Sequence, residues 1–312
     1  MNYRSTLLAS AQTLGLFVAG FVIPVLGQAL VLFTPVPIII AYVRNGRAEG
    51  LTALLATGAI VTALLGWHVA AILFLSFGLM AIGMAEGMQR RLRPESIVAL
   101  GGLLPIAIAG IVLAYYLAHV GKNPVTILEG RLRDSIAEAA KLYSNLGLKE
   151  MASMVTSVSD TFVHYLVRLV PGITVATSLI QAACCFGLAR AAILRQSGAV
   201  PVPSPSQPSL AAWYAPDAWV WGLIATLALI MVPNEAARLI GLNCAIVFSV
   251  VYLVQGIAIV EHVLRKARIK AVARGLIHAL ILALPTIVFA MALGVVDIWA
   301  DFRKVRRAIQ QL

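Results

Sequence analysis

Residues 96–120 read SIVALGGLLPIAIAGIVLAYYLAHV, and this stretch decides the class of the protein. It contains no Asp, Glu, Lys or Arg. It is also longer than the roughly 20 apolar residues with which an α-helix crosses a bilayer. The stretch therefore predicts a transmembrane helix.

Similar apolar segments lie on both sides of it. The predicted spans cover residues 6–23, 27–43, 50–67, 68–89, 96–120, 171–194, 218–233, 239–263 and 275–298. Pro35 and Pro37 interrupt the second span, and the seventh is short and ends at Pro233, so either of these two could be re-entrant or tilted. The predicted fold is all-α, a polytopic transmembrane helix bundle of about nine spans.

Composition supports this class and excludes others. Hydrophobic residues make up 61% of the 312 residues and charged residues 12%, far from the balance of soluble domains. The formal charge of +11 comes from short basic clusters between apolar segments, the arrangement that sets membrane topology. We therefore expect the lipid bilayer as a partner and no nucleic acid.

The basic clusters predict the orientation. With the N-terminus in the cytoplasm, the inside loops hold most of the basic residues: Arg4, Arg44, Arg47, Arg90, Arg91, Arg93, Arg190, Arg195, Arg265, Lys266, Arg268, Lys270 and Arg274. Nine spans would leave the basic tail at 303–307 outside, so the side of the C-terminus stays open. We expect a multi-pass protein of the bacterial cytoplasmic (inner) membrane.

A polar insertion at residues 121–170 divides the chain. Apolar residues recur there every three or four positions in two runs, which predicts an extracytoplasmic amphipathic helical hairpin. Asn123-Pro124 is a helix start signal, and Leu146-Gly147-Leu148 supplies the break. The predicted domains are a five-helix membrane half at 1–120, the hairpin at 121–170 and a four-helix half at 171–312, with a proline-rich cytoplasmic loop at 196–209.

Polar side chains inside spans are candidate ligand contacts, because such groups are costly in hydrocarbon. Tyr252, Gln255 and His262 share one face of the eighth span, and Asn243 lies on the same helix. His278 lies one turn into the last span. Both interhelical hydrogen bonding and a ligand-facing surface fit this pattern.

The second helix of the hairpin carries a polar stripe that includes Asp160, His164 and Arg168, with Asp160 spaced to bond His164. A solvated face explains the stripe. The alternative is a lid that responds to pH or to an anionic solute.

Residues 294–304 read GVVDIWADFRK and form the most distinctive motif. Asp297 and Asp301 would share a helical face with Lys304, Trp299 suits a membrane interface, and Arg303 follows them. A DxxxD pair can hold Mg²⁺ against a phosphate.

The sequence lacks other chemical signatures. A second acidic cluster upstream of the DxxxD pair is missing, as are HExxH, GxSxG and the GxxxxGK[ST] phosphate loop. The sequence therefore predicts no catalytic residue, no metal site and no cofactor. Any ATP-driven cycle would need another chain.

The ending, with residues 252–260 (YLVQGIAIV) before it, resembles that of the YybS-like family of bacterial membrane proteins. The likeness extends over most of the chain in the order of its elements, and it implies a multi-pass membrane fold without naming a reaction. The layout of the first five spans is similar to substrate-binding components of energy-coupling-factor vitamin transporters and to MreD-type cell-shape proteins. Ser5 and Ala9 have the small-xxx-small spacing that contacts a coupling subunit there, although the alanine pair expected in those components is not intact.

Three functions follow as expectations. The first is a non-enzymatic protein for small-molecule transport or solute binding, with a site near Asn243, Gln255 and His278 and a coupling membrane protein as possible partner. The second is an envelope scaffold of MreD type, in which the hairpin and the proline-rich loop bind protein partners. The third is a Mg²⁺-dependent membrane phosphotransferase that uses Asp297 and Asp301.

Overall fold

The computed structural model describes residues 3–24, 26–121, 123–196, 213–281 and 286–303. Within them the regular structure is helical, with no strand. Among the described residues, seven helical segments are long and apolar enough to cross a membrane, and Trp219–Met231 and Thr286–Ala300 are shorter apolar helices. The predicted helical membrane bundle is confirmed.

The helices are α1 (Tyr3–Val22), α2 (Leu26–Val31), α3 (Pro35–Asn45), α4 (Arg47–Leu65), α5 (Trp67–Ile72), a π-helical turn (Leu73–Gly78), α6 (Leu79–Gln89), α7 (Pro94–Val120), α8 (Pro124–Asn145), α9 (Lys149–Gln196), α10 (Trp219–Met231), α11 (Glu235–Lys266), α12 (Ala271–Ile281) and α13 (Thr286–Ala300).

Proline and glycine set the breaks near the N-terminus. The second predicted span is divided as expected, because Pro35 opens α3 at a position where a helix needs no N–H donor. Gly46 and Gly66 separate α3 from α4 and α4 from α5 with φ of 106° and 90°. Side chains other than glycine rarely adopt these angles, so each helix can end and the next begin within one residue.

The predicted hairpin is present. The Asn123 side chain accepts a hydrogen bond of 2.9 Å from the Val125 N–H, as predicted for the cap of α8. Gly147, with φ of 79°, lies in the turn before α9. The structure adds that α9 continues without a break through Pro171 to Gln196, so the hairpin and the following span share one helix.

The predicted last span at 275–298 includes residues 282–285, which lie outside the described residues, so its continuity stays a prediction. Two helices, α12 and α13, are described there, on either side of residues 282–285. The proline-rich segment at 196–209 lies outside the described residues, apart from Gln196 at the end of α9.

The helices pack into two compact units. The first comprises residues 1–109, 175–219 and 249–312, and the second comprises residues 110–174 and 220–248. In the first unit, Ile38, Ile39, Leu73, Met80 and Met84 are among the fully buried side chains of the apolar core.

Candidate functional site

Helices α11 and α13 of the first unit pack with their backbones in close contact. A Cβ atom at Gly256 would overlap the Ala290 carbonyl, and one at Gly294 would overlap the Tyr252 carbonyl. Contacts between small residues are what allow transmembrane helices to approach this closely. The pairing places Gln255 of α11 beside Asp297 of α13.

A buried polar centre, formed by Gln255, Asp297 and Arg303, lies at this contact. The Gln255 amide donates to Asp297 Oδ2 at 3.2 Å, and Arg303 Nη2 donates to the same oxygen at 2.9 Å. Gln255 is 0% exposed, and the side chains of Arg303 and Asp297 are 2% and 5% exposed. An ion pair this deeply buried in an apolar unit needs all its hydrogen bonds, because water does not solvate it.

The backbone of residues 213–215 completes the polar centre. The Ala215 N–H donates to Gln255 Oε1 at 3.2 Å, and Arg303 Nη1 donates to the Trp213 carbonyl at 2.7 Å. This segment precedes α10 and has no regular secondary structure. It therefore presents one donor and one acceptor to the polar centre, as a small polar molecule could.

The end of α13 explains how Arg303 reaches Asp297. The helix ends at Ala300, and Asp301 adopts φ of 42°. The chain then turns back, and the Phe302 N–H donates to Asp297 Oδ1 at 2.9 Å. Asp301 therefore lies beyond the helical face on which the sequence placed it with Asp297. Lys304 is outside the described residues, and Trp299 is exposed.

His278 belongs to a different cluster of the first unit, around the buried carboxylate of Glu261. Arg265 Nε donates to Glu261 Oε1 at 2.6 Å, and Arg274 Nη1 lies 3.7 Å from the same oxygen. His278 Nε2 lies 3.6 Å from Glu261 Oε2. Glu261 is not among the predicted site residues. It follows an apolar run and precedes Arg265 by four residues, and these two signals could have identified it.

Asn243 lies in the second unit and contacts α9 beside its internal proline. Its side chain donates to the Arg168 carbonyl at 2.9 Å and accepts from the Gly172 N–H at 2.6 Å. In an unbroken α-helix the Gly172 N–H would donate directly to the Arg168 carbonyl, four residues earlier. Pro171 disturbs the hydrogen-bond pattern here, and the Asn243 amide bridges the weakened turn.

The lid residues of the second unit form a surface network. Arg168 Nη1 donates to Glu129 Oε1 at 3.1 Å and to His164 Nδ1 at 2.8 Å. His164 Nε2 then donates to Glu235 Oε1 at 3.2 Å, which fits a neutral imidazole protonated on Nε2. The Asp160 side chain lies outside the described residues, so its predicted bond to His164 stays a prediction.

The structure thus gives each candidate ligand residue its own partners. Gln255 and Tyr252 contribute to the α11–α13 contact, whereas His278 contacts Glu261 and Asn243 contacts α9. The described residues contain no group of three or more His, Cys, Asp or Glu side chains that could hold a metal ion.

Comparison with known proteins identifies a family. The family model described as "Predicted membrane protein (DUF2232)" matches residues 11–298, which agrees with the resemblance to the YybS-like family. No curated protein and no solved structure matches the chain. The fainter likeness to energy-coupling-factor components and MreD gains no support from these comparisons.

Proposed function

Since the chain belongs to this family of predicted membrane proteins, DUF2232, we propose that it is a multi-pass membrane protein that binds and transports a small polar solute without catalysing a reaction. The observation that carries the proposal is the burial of Gln255, Asp297 and Arg303 in an apolar unit. Ionisable groups inside a membrane protein are costly and mark solute or ion pathways by default.

The contacts of the polar centre suggest the chemistry of the solute. The Trp213 carbonyl accepts a hydrogen bond from Arg303, and the Ala215 N–H donates one to Gln255. A solute with an acceptor and a donor at a similar separation, such as an amide or an amino acid, could replace this backbone segment. The solute would then compete with the protein's own backbone, and no charged group would lose its hydrogen bonds during the exchange.

The test is mass spectrometry of small molecules retained by the protein purified from native membranes in mild detergent. The comparison uses wild type, Gln255→Leu and the matched control Asn243→Leu, which removes an amide from the second unit. We expect a molecule that wild type and the control retain and that Gln255→Leu loses while remaining monodisperse. If wild type and both variants carry the same molecules, the polar centre only packs helices.

A scaffold function is the second candidate, and the tip of the hairpin favours it. Large apolar side chains are exposed on both sides of Gly147: Leu142, Leu146, Leu148, Met151 and Met154. Exposed apolar side chains that lie close together along the chain are suited to contact with a protein partner or a membrane surface. A stoichiometric envelope protein that co-purifies with wild type but not with Leu146→Ser/Met151→Ser would favour the scaffold.

The phosphotransferase has less support. Both carboxylate oxygens of Asp297 accept hydrogen bonds from the chain itself, from Phe302 on one side and from Gln255 and Arg303 on the other. A magnesium ligand needs at least one of these oxygens. If the wild-type protein showed phosphotransferase activity and each of the single variants Asp297→Asn and Asp301→Asn lost it, this function would be supported.

A further inference from the structure

An open apolar groove runs along α13 in the first unit. Its volume is about 550 Å³, and its walls include Val260, Ile281, Phe289, Ala292, Leu293 and Val296. On α13 the lining residues extend from Thr286 to Val296. These residues are ten positions apart, which is about 15 Å along a helix. This length equals the hydrocarbon thickness of one bilayer leaflet, about 15 Å.

One end of the groove lies toward a basic cluster. Gly256 packs against Ala290 and Tyr252 against Gly294, so α11 and α13 are antiparallel. The Thr286 end of α13 therefore lies toward the C-terminal end of α11, where the basic cluster begins. This cluster consists of Arg265, Lys266, Arg268, Lys270 and Arg274, and Glu261 is the only acidic residue between positions 260 and 281.

Glu261 organises two of these cations. Arg265 and Arg274 both approach Glu261 Oε1, and their side chains remain 48% and 25% exposed. Glu261 itself is buried, so one carboxylate holds two guanidinium groups together while part of each faces outward. Two such groups suit a phosphate, which guanidinium groups can bind through paired hydrogen bonds.

We propose that this groove binds one anionic phospholipid of the bilayer, with an acyl chain along α13 and the phosphate on Arg265 and Arg274. The net positive charge selects an anionic headgroup, because a zwitterionic lipid carries its own cation beside the phosphate. Basic pockets between transmembrane helices bind anionic lipids in this way. The proposal is independent of the solute site, since it uses neither Gln255 nor Arg303.

The test is native mass spectrometry of the full chain with phosphatidylglycerol or phosphatidylcholine of identical acyl chains. We expect preferential retention of phosphatidylglycerol. Arg265→Gln/Arg274→Gln should weaken its binding by about fivefold for each cation removed. The matched control Arg131→Gln/Lys141→Gln removes two exposed cations of α8 and should leave binding unchanged. Equal retention of the two lipids by wild type, or equal losses in the two double variants, would overturn the proposal.

A second measurement does not depend on a variant that folds. Wild type is crosslinked to phosphatidylglycerol that carries a photoreactive group in its acyl chain, and the modified peptides are sequenced. We expect modification concentrated on residues 286–296, with protection by unlabelled phosphatidylglycerol. Protection by glycerol 3-phosphate alone, or labelling spread evenly over the spans, would contradict binding of the chain and headgroup together.

Discussion

Two arginine–carboxylate pairs of nearly equal length lie in very different surroundings. Arg303 and Asp297 of the first unit are 2.9 Å apart with side-chain exposures of 2% and 5%. Arg168 and Glu129 of the second unit are 3.1 Å apart with exposures of 30% and 20%. Burial, rather than distance, therefore determines how much each pair contributes to stability. Loss of one partner should cost far more in the buried pair than in the partly exposed pair.

The largest expected effect comes from breaking the buried pair. Arg303→Met leaves the Asp297 carboxylate without its cation, and we expect the unfolding free energy in mixed micelles to fall by about 3–5 kcal/mol. Titration with sodium dodecyl sulfate measures this quantity.

The double variant Asp297→Leu/Arg303→Met serves as the control for that prediction. It removes both charges, so much of the stability should return. If the double variant is no more stable than Arg303→Met, the unpaired charge of Asp297 is not the cause of the destabilisation.

The second prediction concerns the helix contact that keeps water away from Asp297. A side chain at Gly294 must displace the backbone of α11, and Gly294→Val should lower the unfolding free energy by about 1–3 kcal/mol or more. Gly187→Ala is the matched control, because nothing lies within 4 Å of a Cβ added there. Its stability should be unchanged or slightly raised.

The third prediction concerns a neutral polar contact in the second unit. Asn243→Ala removes the bridge between the Arg168 carbonyl and the Gly172 N–H. Hydrogen bonds between transmembrane helices average about 0.6 kcal/mol, so we expect a loss of roughly 1 kcal/mol for the two bonds. If Asn243→Ala lowered the unfolding free energy as much as Arg303→Met, the buried ion pair would contribute no more to stability than this neutral contact.

The smallest effect should come from the partly exposed pair. Glu129→Gln and Arg168→Gln, combined in a double-mutant cycle, should give a coupling energy of about 0.2–1 kcal/mol that decreases in high salt. A coupling energy of several kcal/mol would mean that Glu129 and Arg168 are shielded from water to the same degree as Asp297 and Arg303.

Much of the helical framework follows from local sequence. Residues 96–120 predicted a span, Pro35 divided the second one, and Asn123 capped α8 as expected, because each signal acts over one or two helical turns. The continuity of α9 through Pro171 was missed, since a proline predicts a break unless a distant residue such as Asn243 supports the turn.

The polar centre was only partly predictable. Gln255, Asp297 and Arg303 were each selected, because polar groups in apolar segments are conspicuous. Their mutual contacts depend on the close approach at Gly256 and Gly294 and on the turn at Asp301, which depend on tertiary packing. Residues 213–215 contribute through backbone atoms, which every residue type has, so the sequence does not indicate this contact.

The accessibility of Ala215, whose backbone covers the polar centre, tests directly whether a solute can enter there. In a variant with Cys184, Cys185 and Cys244 replaced by alanine, Ala215→Cys is labelled with N-ethylmaleimide in native membranes. Ala258→Cys is the control, because both positions are nearly fully buried, at 2% and 0% exposure. If the segment leaves the polar centre to admit a solute, Ala215→Cys reacts measurably faster than Ala258→Cys. Equal rates at the two positions would contradict a binding site beneath residues 213–215.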